Sequence, residues 1–288
     1  MKTLSIPVRV VGPGSQAEEE TLQYLDIPRD MNTFQMPLVP ERANPEALSE
    51  ARDTLREFLE ALEPWDPAMG ETGPRIDISG LSPAAIEVTD QMLGEGEVSI
   101  KIEGTRKAHI QESVFAGIWR VCELDSDGRL IADWIEAASL PAIVLEEARI
   151  AVAPSPRPVA VPEGAMNSPA LLNEIADRIL QRQPGAPAHV INLTLFPLTP
   201  DDHQVLEQAL PVGPVGIISR GFGNCRISST LARNVWRVQY FNTMNTLILN
   251  TLEVVEAPEV ALAAVVDLLD SRERLEELVE WMGESCTA

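Results

Sequence analysis

GEGEVSIKIEGTRKAHIQESVFAGIWRV, residues 94–121, and PVGPVGIISRGFGNCRISSTLARNVWRV, residues 211–238, decide how this chain is read. Both end in Trp-Arg-Val, and their tryptophans, Trp119 and Trp236, stand 117 residues apart. At that offset Leu93 meets Leu210, Gly96 meets Gly213, Val98 meets Val215 and Ile100 meets Ile217. Gly104 and Ile110 then meet Gly221 and Ile227. Upstream, Leu81-Ser82-Pro83 answers Leu198-Thr199-Pro200; downstream, Ile131, Glu136 and Pro141 answer Ile248, Glu253 and Pro258. Glycines and apolar residues coincide while the charges between them do not, which is the pattern of a repeated scaffold.

Towards the amino terminus the offset becomes 124, where NPEALSEARDTLREFL (44–59) resembles NSPALLNEIADRIL (167–180). The first copy therefore carries about seven extra residues near EPWDPAMGETGP (63–74), a loop composition in which insertion costs little. Each copy opens with an amphipathic helix, apolar in the first at Leu48, Leu55, Phe58, Leu59 and Leu62. A short strand follows, Ile76–Ser79 or Val190–Leu195. Ser82-Pro83 and Thr199-Pro200 supply an N-cap with proline at the first helical position, so a second helix is expected. Short β-rich runs come next: Glu97–Ile102, Ala108–Ser113, Phe115–Glu123 and Arg129–Ala137. ELDSDGRL (123–130) supplies a hairpin turn through its Asp-Gly, and Pro141 and Pro258 open a final helix. The expected fold is α+β: two copies of an α-β-α-β-β-β-β-α unit with mainly antiparallel sheets, related by a pseudo-two-fold internal duplication. The expected domains are an extended arm (1–42), a first repeat (43–150), a Pro/Ala linker (151–164) and a second repeat with an acidic C-terminal helix (165–288).

Charge restricts the function. The 44 Asp and Glu against 22 Lys and Arg give a net charge of −22, which repels a phosphate backbone and an anionic leaflet. Nucleic acid is thereby disfavoured as a partner, and no apolar run is long enough to span a membrane. Cys122, Cys225 and Cys286 are scattered and odd in number, so no disulfide framework is implied. Pro7 and Arg9 interrupt any signal-peptide core, and the expected location is the cytoplasm.

No constellation announces a reaction. His109, His189 and His203 have no ligand-spaced partner, and no nucleophile stands beside a base and an orienting acid. Neither a catalytic residue, a metal site nor a cofactor is expected. In GPGS (12–15), Pro13 lacks an N–H and Glu18-Glu19-Glu20 competes with a phosphate, so a turn is the better reading. Read as a strand from Phe115, the residues Phe115, Gly117, Trp119 and Val121 share one face, with Trp119 and Trp236 packing the core. Arg120 and Arg237 project from the other face towards a carboxylate, and Gly96 and Gly213 are structural. The copies differ at Glu95, Glu97, Glu103 and Glu112, which answer to Val212, Pro214, Arg220 and Ser229. One face is specialised, and its carboxylates suit a cation, acid–base work or a simply solvated surface.

GPGSQ (12–16), TFQMPLVPE (33–41), LGEGEVS (93–99), IQESVFAGIWRV (110–121) and NVWRV (234–238) resemble the HupH/HyaF family of [NiFe]-hydrogenase accessory proteins, which includes HoxQ. The resemblance covers essentially the whole chain. It implies a cytoplasmic maturation factor acting on the hydrogenase small subunit, which carries iron–sulfur clusters and a twin-arginine export signal. Composition and periodicity do not point to hydrogenase by themselves. The expectation is a non-catalytic chaperone that binds this small subunit before assembly and export, with other maturation proteins as further partners. Its contact residues are Gly12, Pro13, Gly14, Ser15, Gln16, Pro37, Pro40 and Glu41 on the arm, and Glu95, Glu97, Gln111, Glu112 and Ser113 on the first repeat. The alternative is a metal or iron–sulfur carrier, or an enzyme of that pathway, using the first-repeat carboxylates with Cys225 and His109.

Overall fold

A computed structural model describes residues 44–69, 73–150, 152–221 and 223–285 of the chain. Its first half runs α1 (Pro45–Leu62), β1 (Arg75–Asp77), α2 (Pro83–Leu93), β2 (Val98–Glu103), β3 (Lys107–Glu112), β4 (Ile118–Leu124), β5 (Leu130–Ala137) and α3 (Ala142–Arg149). The second half runs α4 (Ser168–Gln181), β6 (His189–Asn192), α5 (Pro200–Ala209), β7 (Val212–Ser219), β8 (Asn224–Thr230), β9 (Val235–Phe241), β10 (Leu247–Val254) and α6 (Val265–Ser285).

Local chemistry sets these boundaries. The Ser82 hydroxyl accepts from the Ala85 N–H at 3.2 Å and starts α2, with Pro83 at the first position. Thr199 and Asp202 form a reciprocal capping box at the start of α5. At the β4–β5 turn, Asp125 Oδ1 accepts from the N–H groups of Asp127 and Arg129, while Gly128 adopts a φ of 79°. Asn242 accepts from Met244 and Thr246 at the β9–β10 turn, where Asn245 takes the left-handed position at 63°.

The strands form one ten-stranded sheet in the order β1-β5-β4-β3-β2-β7-β8-β9-β10-β6, every neighbouring pair antiparallel. The architecture is therefore α+β with a mainly antiparallel sheet. β2 and β7 join the halves edge to edge, and Ile100 lies opposite Ile217, the residue 117 positions further on.

One face of this sheet carries a single core running through both halves. It gathers Ile100, Ile110, Trp119, Val121, Ile217, Ile227, Trp236 and Val238, with Ile143 and Val144 of α3 packed over it. The opposite face carries two separate cores. Phe58, Met92, Ile118 and Ile135 pack beneath α1, α2 and α6. Ile175, Leu206, Val235 and Leu252 pack beneath α4 and α5. Between them, among the described residues, no helix covers the middle of the sheet.

Two expectations are corrected. Phe115 does not share a face with Trp119: Gly117 sits at φ 76°, β4 begins only at Ile118, and Phe115 falls into the core under α1. The second half reproduces this break, with Asn234 at φ 56°. After Pro258 there is only a 3-10 turn, Glu259–Ala261, instead of a final helix. The Ala263 N–H then donates to the Ser139 carbonyl at 2.9 Å and the chain crosses to the first half. There Leu275, Val279 and Met282 of α6 join the core that Leu48, Leu55 and Phe58 of α1 enter. The terminal helix thus follows the second half in sequence and packs on the first, its apolar stripe buried against α1. Residues 152–164 run along the protein. Ala153 bridges to Ala232 and the Arg157 N–H donates to the Ala209 carbonyl at 2.9 Å.

Candidate functional site

The uncovered middle of the sheet forms a groove of about 280 Å³. Side chains alternate between faces along a strand, so on the central strands the groove is lined mainly from the face opposite the tryptophan core. β2 contributes Ser99 and Lys101, β3 His109 and Gln111, β4 Arg120 and Cys122, and β7 Gly216 and Ile218. The pairing register puts Arg226 opposite Ile218, and Ser228 opposite both Gly216 and Arg237, which extends the same strip over β8 and β9.

Most of these charges are held in place. The Arg120 guanidinium donates to both oxygens of the fully buried Asp133, at 3.1 and 2.7 Å, and also pairs with Asp90 of α2. Burial raises the Asp90 carboxyl against the pull of that guanidinium. Lys101 pairs with Glu103 at 2.8 Å, and Arg226 lies over the Phe241 ring at 4.6 Å. Burial pushes the Cys122 thiol up to about 11, so little of it is thiolate at neutral pH. His109 is exposed.

A second cluster lies at the end of β3. Glu112 is 7% exposed, and its Oε1 accepts from the Gly117 N–H at 3.0 Å. Burial raises its carboxyl to about 7, and the carboxylates of Glu97 and of Asp267 on α6 add to the rise. Ser113 is also buried. Its hydroxyl accepts from the Phe115 N–H and donates to the Phe115 carbonyl, and Thr230 makes the same pair of bonds with Ala232. The Gln111 amide donates to the carbonyls of Gly96, Val98 and Glu112, while its oxygen accepts from Ser99 Oγ.

The expected contact strip is therefore split. Glu95 and Glu97 are exposed, Gln111 is half-buried and turned towards the groove, and Glu112 and Ser113 are interior groups. Gly12, Pro13, Gly14, Ser15, Gln16, Pro37, Pro40 and Glu41 lie outside the described residues. Trp119 donates its indole N–H to the Ala138 carbonyl at 2.8 Å, and Trp236 donates to Glu256 at 3.2 Å. A Cβ on Gly96 would strike the Ser113 carbonyl, and one on Gly213 would approach Ser229 Oγ to 2.5 Å, so both glycines permit close strand contact. His109 and Cys225 do not meet. Cys225 is buried in the tryptophan core with its thiol pushed up to about 12, and His109 faces the groove on the other side. Sequence reasoning missed the groove itself. Its signal was the polar alternation Ser99-Lys101 and His109-Gln111 on strands at the centre of the sheet.

What the fold and this face define is an α+β protein with a solvent-facing groove at mid-sheet. Two segments, residues 42–151 and 165–282, match the profile of the HupH hydrogenase expression protein, C-terminal conserved region, and the chain belongs to this family of hydrogenase accessory proteins. The hydrogenase expression/formation protein HoxQ of Cupriavidus necator is 45% identical, over 98% of this chain and 99% of its own length. The hydrogenase-1 operon protein HyaF of Escherichia coli K12 is 30% identical over 96% of each chain. A solved HupH from Thiobacillus denitrificans is 27% identical and aligns with 38% of this chain and 92% of its own, with a TM-score of 0.36. Among the described residues no helix is long and apolar enough to cross a membrane.

Proposed function

We propose that this chain is a non-catalytic chaperone of hydrogenase maturation, holding the iron–sulfur small subunit in the cytoplasm before assembly and export. The observation that carries the reading is likeness over 98% of the chain to a protein named for hydrogenase expression and formation. The small subunit as client comes from the family resemblance in the sequence motifs. Client contact falls on the amino-terminal arm and on the exposed pair Glu95 and Glu97, where an acidic edge suits a basic client segment. The carrier alternative would use the first-repeat carboxylates with Cys225 and His109; of these, Cys225 and His109 lie on opposite faces of the sheet.

The scaffold in this reading is a duplicated unit, residues 43–150 and 165–288, joined by 151–164 and fused through β2 and β7 like a dimer in one chain. Support comes from the twofold profile match, from Ile100 pairing with Ile217, and from the shared turns at Gly117/Asn234 and Gly128/Asn245. The test is the double variant Glu95→Lys/Glu97→Lys, assayed for co-purification with the small subunit and for melting temperature. Weaker co-purification at an unchanged melting temperature is expected. Unchanged co-purification removes that edge from the client surface.

A further inference from the structure

We propose that α6 is a detachable strap on the first half, and that the proton on Glu112 beneath its first turn decides how firmly the strap stays down. The topology makes α6 separable. It follows the last strand and pairs with none, so its departure breaks no ladder of the sheet. Its lead-in is exposed at Leu262, Val265 and Val266, and its buried stripe, Leu275, Val279 and Met282, meets the core beneath α1. Its amino-terminal end lies on the corner between β3 and β4. There Leu268 sits so close over Gly117 that a Cβ on the glycine would collide with it, and Arg274 lies over the Phe115 ring at 5.3 Å. Glu112 belongs to the same corner and accepts from the Gly117 N–H at 3.0 Å.

Charge at this corner is unfavourable. Glu112 is buried, and the charged side chains that face it are carboxylates, Glu97 from the approach to β2 and Asp267 from α6. Hydrogen bonds from the Gly117 and Val98 N–H groups offset burial in part, and the carboxyl still titrates at about 7. The cations of α6 are placed elsewhere: Arg272 by Trp65 and Leu62, Arg274 against Phe115 and Asp270. Once ionised, Glu112 gains water and distance from Asp267 if the first turn of α6 lifts, and the sheet need not open. The proton therefore keeps the strap shut, and its loss as pH rises through 7 loosens it. The second half lacks both parts of the device. The residue 117 positions beyond Glu112 is Ser229, a neutral hydroxyl bonded to the Val215 N–H. Its corner receives Ala153 of the connecting segment instead of a helix. Of the two corners, the one that α6 covers is the one with the ionisable group.

The test is native-state hydrogen exchange of the full chain, read by mass spectrometry on peptides from α6 and from β7–β9. Wild type and Glu112→Gln are compared at about pH 5.5 and about pH 8.5, since at matched pH the chemical exchange rate is common to both. α6 is expected to exchange faster than β7–β9 at both pH values, and to respond less steeply to about 1 M urea, because lifting one helix exposes less surface than unfolding. At the acidic pH α6 is expected to exchange alike in the two proteins; at the basic pH it is expected to exchange about tenfold or more faster in the wild type. Exchange of α6 in step with the sheet, with the same urea dependence, would make the opening global and overturn the strap. A wild-type to variant ratio for α6 that is the same at both pH values would remove Glu112 from it. Should Glu112→Gln fail to fold, the wild type carries the test alone: protection of α6, corrected for chemical exchange, must fall about tenfold or more across this range, and constant protection overturns the proposal. Client capture does not enter this readout, so its outcome is independent of the chaperone reading.

Discussion

Glu112 gives the stability of this protein a pH dependence that one substitution removes. Its carboxyl is 7% exposed and titrates at about 7 in the fold, against a usual value of 4.5. The folded state therefore holds this proton more tightly than the unfolded chain does. The stabilisation is fully present below about pH 4.5 and is lost as pH rises through 7. A difference of that size corresponds to about 3 kcal/mol between the two limits, of the order of a quarter to a half of a domain's net stability. Glu112→Gln keeps an oxygen for the Gly117 N–H and has no proton to lose. Urea denaturation of both proteins between about pH 5 and about pH 8.5 isolates the effect, since other carboxyls titrate alike in each. The variant is expected to match the wild type at the acidic end and to exceed it by up to about 3 kcal/mol at the basic end. Parallel stability curves for the two proteins would refute the reasoning.

Three further outcomes follow from the packing. Leu275→Ala, at a fully buried α6 position against α1, is expected to cost about 2–5 kcal/mol in urea denaturation; a surface-like cost would mean that α6 is not docked on the first half. Gly117→Ala meets both a φ of 76° and the Leu268 side chain, so a loss of more than about 1 kcal/mol and a lower melting temperature are expected. Asp202 is fully buried; burial opposes its charge, but hydrogen bonds from Ser168, Thr199 and Asn167 outweigh it and hold the carboxyl well below 3.8. Its contribution is present above pH 3.8 and lost as pH falls through the depressed value. Asp202→Asn is thus expected to cost about 1–3 kcal/mol at pH 7 and to flatten the acid limb of the stability curve.

Local signals were legible in the sequence where backbone chemistry is local. Ser82-Pro83 and Thr199-Pro200 cap helices as their residue types require, and Asp125 to Gly128 turns the β4–β5 hairpin. The left-handed break at Gly117 was legible only by pairing it with Asn234, since glycine and asparagine are the residues that tolerate positive φ. Reading straight through it put Phe115 on the wrong face. The destination of α6 was not legible, because amphipathicity states that a helix buries a stripe without naming the surface that receives it. The burial of Glu112 and Ser113 was hidden for a similar reason: both are polar types, and the Glu112 partner, the Gly117 N–H five residues on, is reached only where the chain turns. The groove depends on which helices leave the sheet uncovered, and that is settled by packing between segments distant in sequence.

The central claim is that this family member holds a hydrogenase subunit. Affinity capture of the full chain from hydrogenase-expressing cells, with the bound protein identified by mass spectrometry, tests it most directly. The account predicts recovery of the iron–sulfur small subunit before its export, reduced in Glu95→Lys/Glu97→Lys. Recovery of no hydrogenase subunit by the wild-type chain would contradict it.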